Sequence, residues 1–298
     1  MLRFTHMHGK RKRSMSDRQL AVITGSTGGI GGAIADQLAA SGWNLVLVNR
    51  NAEKALQQKA DLNAAHPGAT VDLVQADLMD VEQIKSAARE ILAAHPRIDA
   101  LYNNSGVLTS QRVMSAQGHE SNYAVNTLAP YVMLECLRPA LKRAADVPKS
   151  MIVNTTSAAH NAAKSLDISK LSEPEQIGGL TGVYATTKLA LTTMGTALAP
   201  ELEQDGIMLR SVCPGAVVTP MTKTSDAMPG ILKFLVPILF NKPDKQAGKM
   251  INAARPDSFG GRTGIYITNG KEKAAPKLAV DKSVQASLMD KLIADAAL

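Results

Sequence analysis

Between the apolar run Leu20-Ala21-Val22-Ile23-Thr24 and the helical spacing of residues 29–41 lies Thr24-Gly25-Ser26-Thr27-Gly28-Gly29-Ile30-Gly31. A glycine turn that leaves a strand and opens a helix constrains a chain strongly. Glycines let the backbone approach a pyrophosphate, and the helix N-terminus offers it N–H groups and a positive dipole end. The spacing is Gly-x-x-x-Gly-x-Gly rather than the commoner Gly-x-Gly-x-x-Gly. A merely flexible turn is the competing reading, and the strand-before, helix-after placement argues against it.

The same alternation continues along the chain. Further strands are expected at 45–48, 70–75, 98–102, 151–155 and 207–212, and helices at 51–65, 81–94, 118–144 and 181–204. This rhythm predicts an α/β fold, a doubly wound parallel sheet with helices on both faces, in one domain over 19–298. The chain of 298 residues is long enough to bury a full core.

The net charge of +7 is concentrated in residues 1–18, which hold Arg3, Lys10, Arg11, Lys12, Arg13 and Arg18 against Asp17. The remainder is near balance, which argues against a nucleic-acid groove in the body. The tail is expected to be a disordered extension, with an organelle or nuclear address as the alternative. The first twenty residues lack the apolar core of a secretory signal, and no window reaches a membrane-spanning length, so a cytoplasmic protein is expected. Cys136 and Cys213 form neither a metal-binding spacing nor a disulfide framework, and no metal is expected.

Two further stretches carry chemistry. The strand at 45–48 runs into Asn49-Arg50-Asn51, with no acid at its tip. An acid there would suit the ribose 2′-OH of NAD, whereas arginine suits a 2′-phosphate, so Arg50 favours NADP(H). In Tyr184-Ala185-Thr186-Thr187-Lys188 a tyrosine and a lysine lie one helical turn apart on the same face. An ammonium beside a phenol is expected to lower its pKa from about 10 toward neutral pH, where it becomes a usable acid or base. Taken alone, such a pair is more often a solvated helix face.

The glycine turn, Asp77-Leu78, Asn103-Asn104-Ser105-Gly106, Asn126, Ser157, Tyr184 with Lys188, and Pro214-Gly215 stand in the order of the classical short-chain dehydrogenase/reductase family, which the chain resembles from about residue 20 to its end. The resemblance implies a Rossmann-type fold and catalysis by Asn126, Ser157, Tyr184 and Lys188. Ser157 would bond the substrate oxygen and Tyr184 would pass the proton. Lys188 would hold the nicotinamide ribose and depress the tyrosine pKa, while Asn126 would anchor a water of a proton relay. The implied cofactor-binding set is Gly25, Ser26, Thr27, Gly29, Ile30, Gly31, Asn49, Arg50, Asp77, Leu78, Asn104, Ser105, Gly106, Tyr184, Lys188, Pro214, Gly215, Val217 and Thr219. Ser105 replaces the alanine usual in its turn. Helix-pair dimerisation is common in the family, so a homo-oligomer is compatible with it.

Ser157 and Tyr184 are 27 residues apart, and the polar stretch 158–179 between them reads as an inserted surface loop. With Asn49-Arg50 and Gly264-Ile265-Tyr266-Ile267, it resembles the retinol-dehydrogenase and protochlorophyllide-reductase-like branch. A substrate lid is expected over about 216–255, and its apolar stretch at 231–240 implies an apolar small-molecule substrate. A membrane-surface helix competes for that stretch, with Pro237 against it. Pro200 should kink the last turns of the 181–204 helix. His160 near Ser157 has no acid-orienter pattern, so a hydrolytic triad is not expected. The expected activity is hydride transfer between NADP(H) and a carbonyl or alcohol carbon. The alternatives are a non-catalytic NADP(H)-binding sensor, an NAD-linked enzyme of the same fold, and a membrane-bound enzyme.

Overall fold

The computed structural model describes residues 18–143, 148–219, 225–226 and 240–298. The basic tail up to residue 17 and the apolar stretch at 231–239 lie outside the described residues.

Strands β1 (Leu20–Thr24), β2 (Asn44–Asn49), β3 (Val71–Gln75), β4 (Ala100–Asn103), β5 (Ser150–Thr155), β6 (Ile207–Cys213), β7 (Ile265–Thr268) and β8 (Lys271–Lys273) form one sheet. The order is β3-β2-β1-β4-β5-β6-β7-β8. All neighbours are parallel except β7 and β8. Helices α1 (Gly29–Ala40), α2 (Ala52–Ala65), α3 (Val81–Ala94), α4 (Ala129–Leu141), α5 (Val183–Gln204), α6 (Pro243–Ala253), α7 (Lys277–Val280) and α8 (Lys282–Ala296) flank it.

The continuous apolar run of β1 follows from burial on both faces. Leu20 and Val22 join the core under α3, α4, α5 and α8, while Ala21 and Ile23 join the core under α1 and α6. The strand order reverses between β1 and β4, and such a switch point leaves a crevice at the carboxyl ends of the strands. Polar caps start the helices on schedule: Asn51 Oδ1 accepts from Lys54 N at 2.8 Å, and Asp80 Oδ1 accepts from Glu82 N at 2.9 Å.

Two expectations about local structure change. The helix expected over 118–144 is a turn at Ser121–Tyr123, a π-helical turn at Ala124–Leu128 and then α4. Helical periodicity cannot distinguish a π-turn from the α-helix around it. The stretch 158–179 is not simply a surface loop. It winds through 3₁₀ turns at Ala158–Ala162 and Ile168–Lys170, and it buries His160, Leu166, Leu171 and Ile177. Its few apolar residues serve as anchors for a polar chain. Helix α5 runs on through the exposed Pro200 to Gln204.

Arg210, in the middle of β6, is fully buried. Its guanidinium donates to the carbonyls of Arg262 (2.8 Å), Ala253 and Arg255 (both 2.9 Å) and Ser258 (2.9 Å), and to Ser258 Oγ (2.6 Å). Its Cζ lies 5.6 Å from the Phe259 ring centroid. The segment that follows α6 is thereby gathered onto the strand that leads to Pro214 and Gly215.

Candidate active site

A cleft of about 960 Å³ opens at the carboxyl ends of β1, β2, β4, β5 and β6. Its middle is the glycine turn. Gly25 has φ +66°, and a Cβ there would stand 2.6 Å from Ser105 Oγ. At Gly31 a Cβ would meet Gly25 O at 2.3 Å and Asn104 Nδ2 at 2.4 Å. Asn104 Nδ2 donates to the carbonyls of Thr24 (3.2 Å) and Gly25 (3.1 Å), while Asn104 N and Ser105 N donate to Thr24 Oγ1. The turn after β4 thus clips the turn after β1 into shape. No side chain caps α1, no acid stands in its first turn, and Thr27, Gly28, Gly29 and Ile30 line the cleft. Backbone N–H groups and a dipole end so placed suit an anion.

Asn49, Arg50, Lys54, Asp77 and Leu78 line one end. Arg50 Nη1 lies 3.8 Å from Asp77 Oδ2, and 73% of the Arg50 side chain is exposed, so the guanidinium keeps most of its donors available. Lys54, one turn into α2, is a cation at this end that motif reading missed. Its only local signal is its position three residues past the Asn51 cap.

At the opposite end stand Ser157, Tyr184 and Lys188. Ser157 lies two residues past β5 and caps the 3₁₀ turn, its Oγ accepting from Ala159 N at 3.2 Å. Its hydroxyl also faces the Tyr184 phenol. Lys188 Nζ donates to Thr155 O at 2.9 Å and lies 5.9 Å from the Tyr184 ring centroid. Burial pushes the Tyr184 phenol up to about 12, against the opposing effect of Ser157. Burial also pulls the Lys188 ammonium down to about 8. Without a bound nicotinamide, burial is the larger influence on the phenol, and the ammonium, held by Thr155 O through one of its three N–H donors, keeps two for a ligand.

Pro214, Gly215, Val217 and Thr219 complete this wall, with Cys213, Thr155, Thr156 and Asn269, which the motifs did not flag. Thr155 Oγ1 and Thr156 Oγ1 are buried without a hydrogen-bond partner, polar atoms a bound polar group can satisfy. Leu108 and Leu180 pack with Tyr184, and Phe240 lies nearby, giving this end an apolar flank.

Three of the expected residues sit one layer behind the cleft. Ser26 is buried, its N donating to Asn49 Oδ1 and its Oγ to Gln58 Oε1, both at 2.8 Å. Gly31 is packed under Gly25 and Asn104. Asn126 is buried in the π-turn; its Oδ1 accepts from Val107 N (2.9 Å), and its Nδ2 donates to Val107 O (2.9 Å) and Thr187 Oγ1 (3.2 Å). His160 Nδ1 lies 3.1 Å from Thr192 Oγ1, and burial lowers its pKa to about 4. A neutral imidazole turned toward a threonine is no partner for a serine nucleophile.

The family profile described as short chain dehydrogenase matches residues 19–230. The chain belongs to the short-chain dehydrogenase family. It is 28% identical over 277 residues to the protein named short-chain dehydrogenase TIC 32 B, chloroplastic, of Brassica napus, covering 91% of this chain and 86% of that one. Mouse retinol dehydrogenase 11 is 30% identical over 210 residues, 70% of this chain and 65% of the relative. Among solved structures, a blue fluorescent protein from a metagenomic library in complex with NADPH superposes with a TM-score of 0.65 at 26% identity, over 84% of this chain and 96% of that one. The chain is therefore an oxidoreductase of the retinol-dehydrogenase-like branch, acting on CH–OH or C=O groups with a nicotinamide cofactor. Among the described residues no helix is long and apolar enough to cross a membrane, and no cluster of acidic, histidine and cysteine side chains could hold a metal ion.

Proposed function

We propose that this protein is an NADP(H)-dependent reductase of small apolar carbonyl compounds, with Tyr184 as the proton donor. The convergence of Ser157, Tyr184 and Lys188 at the apolar end of the cleft carries this reading. The residues present fit a dinucleotide. The glycine turn and the start of α1 would hold the pyrophosphate, Asp77 and Leu78 would flank the adenine, and Arg50 with Lys54 would take the 2′-phosphate. Lys188 would hold the nicotinamide ribose. When bound, the cofactor supplies the hydride.

Ser157 then orients the substrate oxygen, and Tyr184 donates its proton to it. A phenol raised to about 12 is protonated throughout the neutral range, which is the form that donates a proton in reduction. Leu108, Leu180, Val217 and Phe240 favour an apolar substrate and help exclude water. The direct test is a screen of aldehydes and ketones with NADPH and with NADH. Turnover with NADPH supports the reading, and cofactor binding without turnover on any carbonyl supports the sensor alternative instead.

Arg50→Ala should weaken NADPH binding by about 1.5–3 kcal/mol, the worth of a charge-assisted hydrogen bond, and leave NADH binding unchanged. Fluorescence titration with both nucleotides checks this. Equal loss for both would assign Arg50 elsewhere.

Lys188→Met should stabilise the protein at neutral pH while removing activity. The ammonium's pKa falls from an ordinary 10.5 to about 8 because it is buried. Below pH 8 the fold bears the full cost of that buried charge; between 8 and 10.5 the unfolded chain binds more protons than the folded one, so wild-type stability rises with pH. Allowing about 1 kcal/mol for the lost hydrogen bond to Thr155, the gain is about 2 kcal/mol at pH 7 and disappears toward pH 10. Urea unfolding of both proteins at the two pH values measures it.

A further inference from the structure

Helix α8 lies far along the chain from the reacting residues, yet it is packed against the elements that carry them. Leu288, Leu292 and Ala296 repeat every four residues and are fully buried. They belong to the core that holds Tyr123, Leu128 and Leu189. Gln285 Nε2 donates to Thr196 Oγ1 of α5 at 3.0 Å.

One polar contact joins α8 to the turn that carries Asn126. The buried Tyr123 hydroxyl donates to Asp295 Oδ2 at 2.7 Å, and Lys291 Nζ lies 3.0 Å from the same oxygen and 5.7 Å from the Tyr123 ring centroid. Burial and then Asp295 push the phenol pKa up, so it stays a donor. Tyr123 is the residue before the π-turn Ala124–Leu128. A π-turn sacrifices regular helical bonding, and its neighbours must hold it. Upstream, the buried Glu120 caps the preceding turn, accepting from Asn122 N at 2.9 Å. On its outer side it is held by Tyr123 on Asp295. Inside it, Asn126 bonds Val107 of the cleft wall and Thr187, the neighbour of Lys188 in sequence.

A half-buried carboxylate with a phenol and an ammonium adds little stability over apolar contacts of the same size, but it fixes the register of two helices. We propose that Asp295 is a positioning residue, acting through Tyr123 and the π-turn to hold Asn126 against Thr187 and so to set Lys188 and Tyr184 for proton transfer. This rests on the reductase reading proposed above.

The test uses the full chain. Tyr123→Phe and Asp295→Ala should each lower kcat for a reduced carbonyl about tenfold, with KM and NADPH Kd within twofold of wild type, because misplacement acts on the reacting geometry and not on binding. Their combination should lose no more than either alone, since one contact is removed in both. Asp295→Asn, which keeps an acceptor oxygen, should recover most of the rate. Unchanged kcat in all variants with only a lowered Tm would overturn the proposal and leave α8 a structural prop. If wild type reduces no carbonyl, the proposed reductase reading fails separately. Amide exchange then decides, with faster exchange at 124–128 and 187–188 in Asp295→Ala expected, and unchanged exchange overturning it.

Discussion

Tyr184→Phe should abolish carbonyl reduction, lowering turnover by about 10²–10⁴-fold, the usual worth of a positioned general acid. NADPH affinity should stay near that of wild type, because phenylalanine keeps the ring packed between Leu108 and Leu180 and removes only the hydroxyl. The pH profile adds an independent check. The Tyr184 phenol is pushed up to about 12, so the donor form persists from neutral pH to about 10 and reduction should not fall there through loss of this proton. Oxidation of the corresponding alcohol needs the phenolate and should climb with pH over the same range. Lys188 works in the opposite sense. Its ammonium loses its proton around 8, and any dependence of the rate on that charge should appear as a step at that pH in both directions. Steady-state rates in both directions, for wild type and Tyr184→Phe, separate the two groups. A phenylalanine variant with near wild-type turnover would remove Tyr184 from the chemistry.

The parts legible in the sequence are those whose physics is local. Residues 20–31 specify strand, turn and helix through their own spacing. Gly25 and Gly31 are required by a positive φ and by a close approach that neighbours in sequence help to create. Tyr184 and Lys188 share a face because four residues make about one turn. What escaped notice depends on distant partners. The cleft-facing position of Lys54 follows from how α2 packs beside β2, and the π-turn at Asn126 is held from outside by α8, whose helical nature was not read from the sequence at all. The setting of the catalytic pair is of the same kind. Spacing shows that a lysine is near the tyrosine, but the extent of burial and the choice of Thr155 O as the lysine's partner arise only in the folded chain.

Arg210 is the sharpest case, and it carries the second large prediction. Nothing in its own strand shows where this charge finds acceptors; it is fully buried because they, 43 to 52 residues further along, come to it. Burial pulls its pKa down to about 10, so it remains a cation at neutral pH. Arg210→Met should therefore be strongly destabilising. The methionine fills part of the volume, but the carbonyls of Ala253, Arg255, Ser258 and Arg262 lose a shared donor inside the protein. Unlike Lys188, which has one acceptor, Arg210 serves four carbonyls; leaving several of them without a donor costs about 1–3 kcal/mol each, which outweighs the relief of the buried charge, and a net loss of about 3 kcal/mol lowers Tm by on the order of 10 °C. Arg210→Lys should recover little, because one ammonium cannot reach acceptors arranged for a planar five-donor fork. Calorimetry of the three proteins checks the stability. Because β6 runs directly into Cys213, Pro214 and Gly215 at the cleft wall, the same variants assayed for nucleotide binding show whether loosening the 253–262 segment reaches the site. Thermal stability of Arg210→Met within 2 °C of wild type would mean that those carbonyls find other donors and that the buried guanidinium is not what holds the segment in place.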